Sequence, residues 1–145
     1  MRRAARTLFL DTGVLVADVS PRDARHEEAR SIFLRIADGE WSGVYVSDFV
    51  VAEALNFVRA KIRKKEAEVA LLSPIFGGPG RPPVVTEVVR VHGSRFAAAL
   101  DLFHTRFDRG LSYTDCTTLE IMTEMELRTL ATFDKGFRGL VDIVP

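Results

Sequence analysis

The sequence predicts an α/β fold in which a mostly parallel sheet is covered on both faces by helices. Short β-prone runs alternate with longer amphipathic stretches along the chain, as strand–helix–strand units do. The first run, Thr7-Leu8-Phe9-Leu10, is nearly continuous rather than alternating in its hydrophobicity, as a strand buried on both faces must be. It ends on Asp11. A helix is expected from Ser20 to about Ala37, with Ser20 as N-cap, Pro21 at the first helical position and Asp23 completing a capping box. Its apolar stripe is Ala24, Ala29, Ile32, Phe33 and Ile36, and Gly39 stops it.

Gly43 to Val46 reads as a second short strand. Ser47 then caps a helix to about Arg63, with Val51, Ala54, Leu55, Val58 and Ile62 on one face. Another helix covers Lys65 to Ile75. The breakers Gly77-Gly78-Pro79-Gly80-Arg81-Pro82-Pro83 end it and form a loop too short to separate domains. Val84 to Val91 is a strand candidate, Gly93 to Phe107 and Ser112 to about Glu126 are helices, and Leu127 to Phe133 and Val141 to Val144 are the last strands. Phe96, Leu100 and Phe103, at helical spacing, are expected in the core.

The 145 residues, 47% hydrophobic, suit a single domain over 1–145 that needs no disulfide or structural metal to fold. The lone Cys116 excludes a disulfide scaffold and fits a reducing compartment. Twenty basic residues balance twenty acidic ones, so any nucleic-acid contact must come from a local patch. No apolar stretch approaches the roughly 20 residues that cross a bilayer. Arginines precede the first apolar run in the manner of a leader, but Asp11 interrupts it after four residues. The expectation is a soluble cytoplasmic domain with no membrane contact.

Four acids stand in expensive places. Asp11 lies at the carboxyl end of a buried strand, where parallel sheets bind ligands, although Asp is also a good N-cap for the segment starting at Thr12. Glu53 sits within the nearly all-apolar run Phe49 to Phe57, where a buried carboxylate needs a partner, unless it is a surface acid beside Asn56. Asp115 follows Ser112 by three residues, the spacing of a capping box. Asp134 ends another apolar strand, and before Lys135-Gly136 it also suits a turn. Carboxylates converging on one point repel each other and take up protons unless a cation neutralises them. Hard divalent ions such as Mg²⁺ or Mn²⁺ take oxygen ligands of this kind. Such an ion acidifies water and stabilises a phosphorane-like transition state, so an all-acid site points to phosphodiester hydrolysis.

Four segments carry a resemblance to the PIN domain, and specifically to the VapC-like ribonuclease toxins of type II toxin–antitoxin pairs. They are Phe9-Leu10-Asp11-Thr12-Gly13-Val14-Leu15, Ser47 through Glu53 to Asn56, Leu111-Ser112-Tyr113-Thr114-Asp115-Cys116, and Leu130-Ala131-Thr132-Phe133-Asp134-Lys135-Gly136-Phe137. His26-Glu27-Glu28-Ala29 also resembles the early helix of these toxins. Gly13 departs from the pattern, standing where a small hydroxyl or Asn is common. The resemblance implies a three-layer α/β/α sandwich and Mg²⁺- or Mn²⁺-dependent endoribonuclease activity. It further implies metal ligation by Asp11, Glu53, Asp115 and Asp134, with Thr12, Ser112 and Thr132 in support, and a homodimer inhibited by a small antitoxin.

Arg59, Lys61, Arg63, Lys64 and Lys65 place five cations in seven residues, either a phosphate-contacting patch for RNA or a solvated helix end. Arg2, Arg3 and Arg6 read as a frayed basic terminus. His26, His92 and His104 adjoin no motif, and Cys116 reads as a small buried residue rather than a nucleophile. A phosphoacceptor aspartate is disfavoured because Gly13 occupies the position where a second Asp would stand. A non-catalytic RNA- or protein-binding module would lose acids, and all four are present. A housekeeping RNA-processing nuclease stays open.

Overall fold

The computed structural model describes residues 6–144. Five strands, β1 (Thr7–Leu10), β2 (Gly43–Ser47), β3 (Glu87–Val89), β4 (Thr129–Ala131) and β5 (Asp142–Val144), form one sheet in the order β3-β2-β1-β4-β5. Every neighbouring pair is parallel. Six α-helices complete a three-layer α/β/α sandwich: α1 (Thr12–Asp18), α2 (His26–Ala37), α3 (Asp48–Phe57), α4 (Lys65–Phe76), α5 (Gly93–Thr105) and α6 (Tyr113–Glu124). Helix α1 packs on α2, α3 and α4, while α5 packs on α6. No described helix is long and apolar enough to cross a membrane.

The sheet has its apolar centre where the sequence is most hydrophobic. Leu8, Phe9 and Leu10 of β1 and Leu130 and Ala131 of β4 are fully buried, and burying side chains of the larger kind stabilises by about 1.5–3 kcal/mol each. The strand order reverses at β1: the chain builds outward through β2 and β3, then returns to pair β4 on the other flank of β1. Open parallel sheets form their ligand crevice at such a reversal, beyond the carboxyl ends of the strands. Asp11 and Thr132 are the residues that leave β1 and β4 there, and the Asp11 N–H donates to the Ala131 carbonyl at 3.0 Å.

Three expectations change. Helix α2 begins at His26, not Ser20. The Asp23 carboxylate accepts the Arg25 N–H at 2.7 Å, and the N–H groups of Asp23 and His26 donate to the carbonyls of Ser20 and Asp23. These local turn bonds satisfy the backbone that a capping box would have used. The stripe Phe96, Leu100 and Phe103 is 42%, 40% and 39% exposed instead of core. Helix α5 buries Ala99 and packs on α6, which leaves this stripe partly uncovered among the described residues. The basic terminus at Arg2 and Arg3 lies outside the described residues. Arg6 is tied down: its carbonyl accepts the Ser42 N–H at 2.8 Å, and its guanidinium pairs with Glu40 at 3.2 Å.

Other boundaries follow expectation with shorter strands. The helix from Ser47 continues beyond α3 as a π-helical turn over Val58–Ile62 and ends at Arg63 in the left-handed conformation. Glu126, just past α6, is also left-handed with φ of 56°, a conformation that penalises a residue with a Cβ. Glu126→Gly should therefore stabilise the fold by up to about 1 kcal/mol. A denaturant melt with an unchanged slope and a higher midpoint would show it.

Candidate functional site

The geometry grows outward from Asp11. It is the residue that follows β1 and caps α1, and it is 5% exposed. Its Oδ1 accepts the Thr12 N–H at 2.9 Å, and its Oδ2 accepts the Thr132 hydroxyl at 2.6 Å. The Thr132 hydroxyl oxygen in turn accepts the Asp134 N–H at 3.0 Å. One buried threonine thus locks the exits of β1 and β4 together. Across the crevice, the Thr12 hydroxyl donates to Glu53 Oε2 at 2.6 Å, which joins α3 to the same edge.

Asp115 enters from α6. Ser112 Oγ accepts the Asp115 N–H at 3.1 Å, and Asp115 Oδ2 accepts the Ser112 N–H at 3.0 Å. The capping box is therefore real. It does not compete with a role in the site, because the same box fixes the carboxylate that faces the other acids. Asp134 likewise makes its turn, accepting the Gly136 N–H on Oδ1 at 2.8 Å. A Cβ on Gly136 would stand 2.8 Å from Leu111 and 3.1 Å from the Asp134 carboxylate, so any side chain there would displace Leu111 and crowd that carboxylate.

Electrostatics tie the four together. Burial pushes the Asp11 carboxyl up to about 6, against hydrogen bonds from Thr132 and Thr12, with further upward pushes from the charges of Asp115 and Asp134. Burial likewise raises Asp115, opposed by Ser112, and the charges of Asp134 and Glu53 add to the rise. Six ion pairs occur among the described residues, and none engages Asp11, Glu53, Asp115 or Asp134. No described Lys, Arg or His side chain forms an ion pair with an acid at this edge.

Glu53 departs from expectation. It is exposed rather than buried, because α3 turns Val50, Val51 and Ala54 inward and leaves Glu53 and Asn56 outward. It reaches the site through Thr12. Asp48, at the start of the same helix, is structural: its Oδ1 accepts the N–H groups of Phe49 and Val91, pinning α3 to the end of β3.

Among the described residues, no three His, Cys, Asp or Glu side chains stand close enough to cage an ion unaided. The donor set still fits a hard divalent cation. Asp115 Oδ1, Asp134 Oδ2 and Glu53 Oε1 accept no hydrogen bond from the described residues, and Mg²⁺ is characteristically held by one or two carboxylates with water completing its shell. A cavity of about 700 Å³ at the opposite edge of the sheet, between Arg6, Trp41 and Arg128, contains none of the four acids.

The basic cluster lies elsewhere, on the π-helical turn and the start of α4. Arg59 is paired with Glu68, with a second contact at 2.9 Å, whereas Lys61, Lys64 and Lys65 are exposed and make no ion pair among the described residues. His26 is satisfied by the Ala17 carbonyl at 2.7 Å, and Cys116 is fully buried. Sequence reasoning missed a second group of cations. Arg25, Lys135 and Arg138 line a cleft together with Thr132, Phe133 and Asp134. The signal is the run of Phe133, Lys135 and Arg138 around Asp134, but a helix starting at Ser20 puts Arg25 inside it, whereas α2 starts at His26.

Comparison with known proteins agrees with this architecture. A "VapC ribonuclease" from Archaeoglobus fulgidus is 25% identical over 130 residues, covering 89% of this chain and 78% of that protein. The crystal structure of Mycobacterium tuberculosis VapC20, a sarcin–ricin loop cleaving toxin, superposes with a TM-score of 0.76 at 22% identity, covering 92% of this chain and 94% of that one. VapBC2 from Rickettsia felis, bound to a DNA fragment of its promoter, gives 0.63 at 15% identity over 95% and 97%. FitAcB from Neisseria gonorrhoeae gives 0.60 at 20% identity over 95% and 96%. The family model of the PIN domain matches residues 8–142, and the chain belongs to the PIN domain family.

Proposed function

We propose that this protein is a Mg²⁺- or Mn²⁺-dependent endoribonuclease, the toxin of a toxin–antitoxin pair, acting in the cytoplasm. The observation that carries the reading is the set of four carboxylates at the β1–β4 crevice with no cationic partner. A fold bears such repulsion at one edge when the site is built for a cation. A bound divalent ion would supply neutralising charge, acidified water and stabilisation of the charge that builds on the phosphoryl oxygens. The chain's own residues set geometry. Thr132 and the Thr12 N–H hold both oxygens of Asp11 in a fixed plane, the Thr12 hydroxyl holds Glu53, and Ser112 fixes Asp115. The relative named as a ribonuclease favours RNA as the substrate.

The partners follow from uncovered surface. The half-exposed α5 stripe, extended by Phe107 at 81% exposure, suits a homodimer contact. Two structural neighbours are solved as toxin–antitoxin or VapBC assemblies, which favours a small antitoxin as inhibitor. The cluster Arg59, Lys61, Arg63, Lys64 and Lys65 adds phosphate contacts remote from the chemistry.

The central test is cleavage of RNA by the purified chain, active with Mg²⁺ or Mn²⁺ and silent in EDTA. Asp11→Asn should lower the rate by about 100-fold or more while the fold is retained. Full activity in that variant would remove Asp11 from the site.

The raised carboxyl of Asp11 also predicts how stability depends on pH. Its folded value of about 6 lies above the unfolded value near 3.8, so between those limits the folded state binds more protons. Its contribution is fully present below about pH 4, is lost as the pH rises through 6, and is constant above that. Melts in EDTA should show wild type losing about 3 kcal/mol relative to Asp11→Asn across this window. Parallel curves for the two proteins would contradict the burial of a charged Asp11.

Asp115→Asn separates a cap from a ligand. A pure cap would cost about 1 kcal/mol equally in EDTA and in Mg²⁺. Relief of repulsion should instead leave the variant as stable as wild type, or more so, in EDTA. Wild type should gain about 2.7 kcal/mol at Mg²⁺ about 100 times its Kd, and the variant much less. Thermal melts of both proteins in both conditions decide between them.

A further inference from the structure

A polyanionic substrate approaching four unpaired carboxylates needs cations beside them, and this chain has no net positive charge to supply attraction at long range. Two cationic groups are available. The Arg59–Lys65 cluster borders a groove formed by Arg59, Arg63, Lys65 and Glu68, with no site acid in it. The other group lines a cleft of about 150 Å³ that shares Thr132 and Asp134 with the acid site itself. In that cleft the Arg25 guanidinium lies 5.4 Å above the centre of the Phe133 ring. Lys135 and Arg138 are exposed beside it.

Resting on the ribonuclease reading, we propose that this cleft is the subsite for the nucleotide adjoining the scissile phosphate. The base stacks on the Arg25–Phe133 pair, and Lys135 and Arg138 contact backbone phosphate. Single-stranded RNA is recognised by unstacked bases laid on aromatic rings or on arginine planes, and a guanidinium already stacked on a ring presents such a plane with its charge in place. The support is rigid. Phe137 is fully buried, the Asp134 carboxylate holds Gly136, and the Arg138 carbonyl accepts from the Arg109 guanidinium. Lys135 and Arg138 therefore project from a fixed turn.

Gly13 gains a meaning here. A Cβ at position 13 would lie 3.9 Å from Phe133 Cδ2, so the absent side chain leaves that edge of the ring uncovered. Arg25 is also bound to Glu28 at 2.9 Å. Glu28 lines the same cleft, and a surface pair of this kind is too weak to hold the guanidinium against a stacking base.

The experiment uses the full chain and a labelled single-stranded RNA that wild type cleaves, with a matched RNA abasic at the nucleotides flanking the cut. Binding is measured in the Asp11→Asn background in excess Mg²⁺, and kcat and KM are measured in the active protein. Arg25→Gln, an exposed change, should weaken binding about tenfold or more and raise KM with kcat little altered. The abasic RNA should bind wild-type and Arg25→Gln cleft alike, because the stacking partner is gone from both. Lys135→Gln and Arg138→Gln should each reduce the slope of log affinity against log salt by about 0.7. Unchanged affinity, KM and salt slope in all three variants would overturn the subsite and leave the platform to a protein partner. Absence of cleavage by wild type would instead overturn the ribonuclease reading, a result the comparison of variants with wild type does not mimic.

Discussion

The hydroxyl of Thr132, donated to a buried Asp11 carboxylate at 2.6 Å, is the contact on which the arrangement of this edge depends. It closes the two strands flanking the reversal of strand order and accepts the Asp134 N–H at the same time. Asp11 is thereby held charged in a place where burial and its neighbours favour the proton. The bonds join the strands and keep the carboxylate rigid, while burial of its charge costs stability.

Three of the four acids have an ordinary structural use. Asp11 caps α1, Asp115 completes a capping box, and Asp134 closes a turn. These local bonds fix carboxylates more firmly than solvent-facing rotamers would, and they consume only part of each group's accepting capacity. Capping thus leaves oxygens of the same side chains open to a further partner.

Much of this was legible in the sequence. Asp11 and Asp134 each end a run too apolar to face water, and the alternation of strands and helices places both at one sheet edge. Other features were hidden for physical reasons. The apolar run around Glu53 does not say which way a single residue of the helix points, and the structure turns Glu53 outward. The start of α2 was displaced because Asp23 bonds its own neighbourhood, which periodicity does not register. That displacement concealed Arg25 beside Phe133. The stripe Phe96, Leu100 and Phe103 has the spacing of a core face, and spacing is blind to whether the covering surface belongs to the same chain.

The bond between Asp11 and Thr132 spans 121 residues, and β1 waits for β4 until all of that intervening chain has been made. On a ribosome, the emerging chain carries its first acid long before the segment that completes the crevice. Contacts so distant in sequence form late and slowly. In a fold of this topology the crevice therefore cannot assemble during translation until β4 has left the exit tunnel.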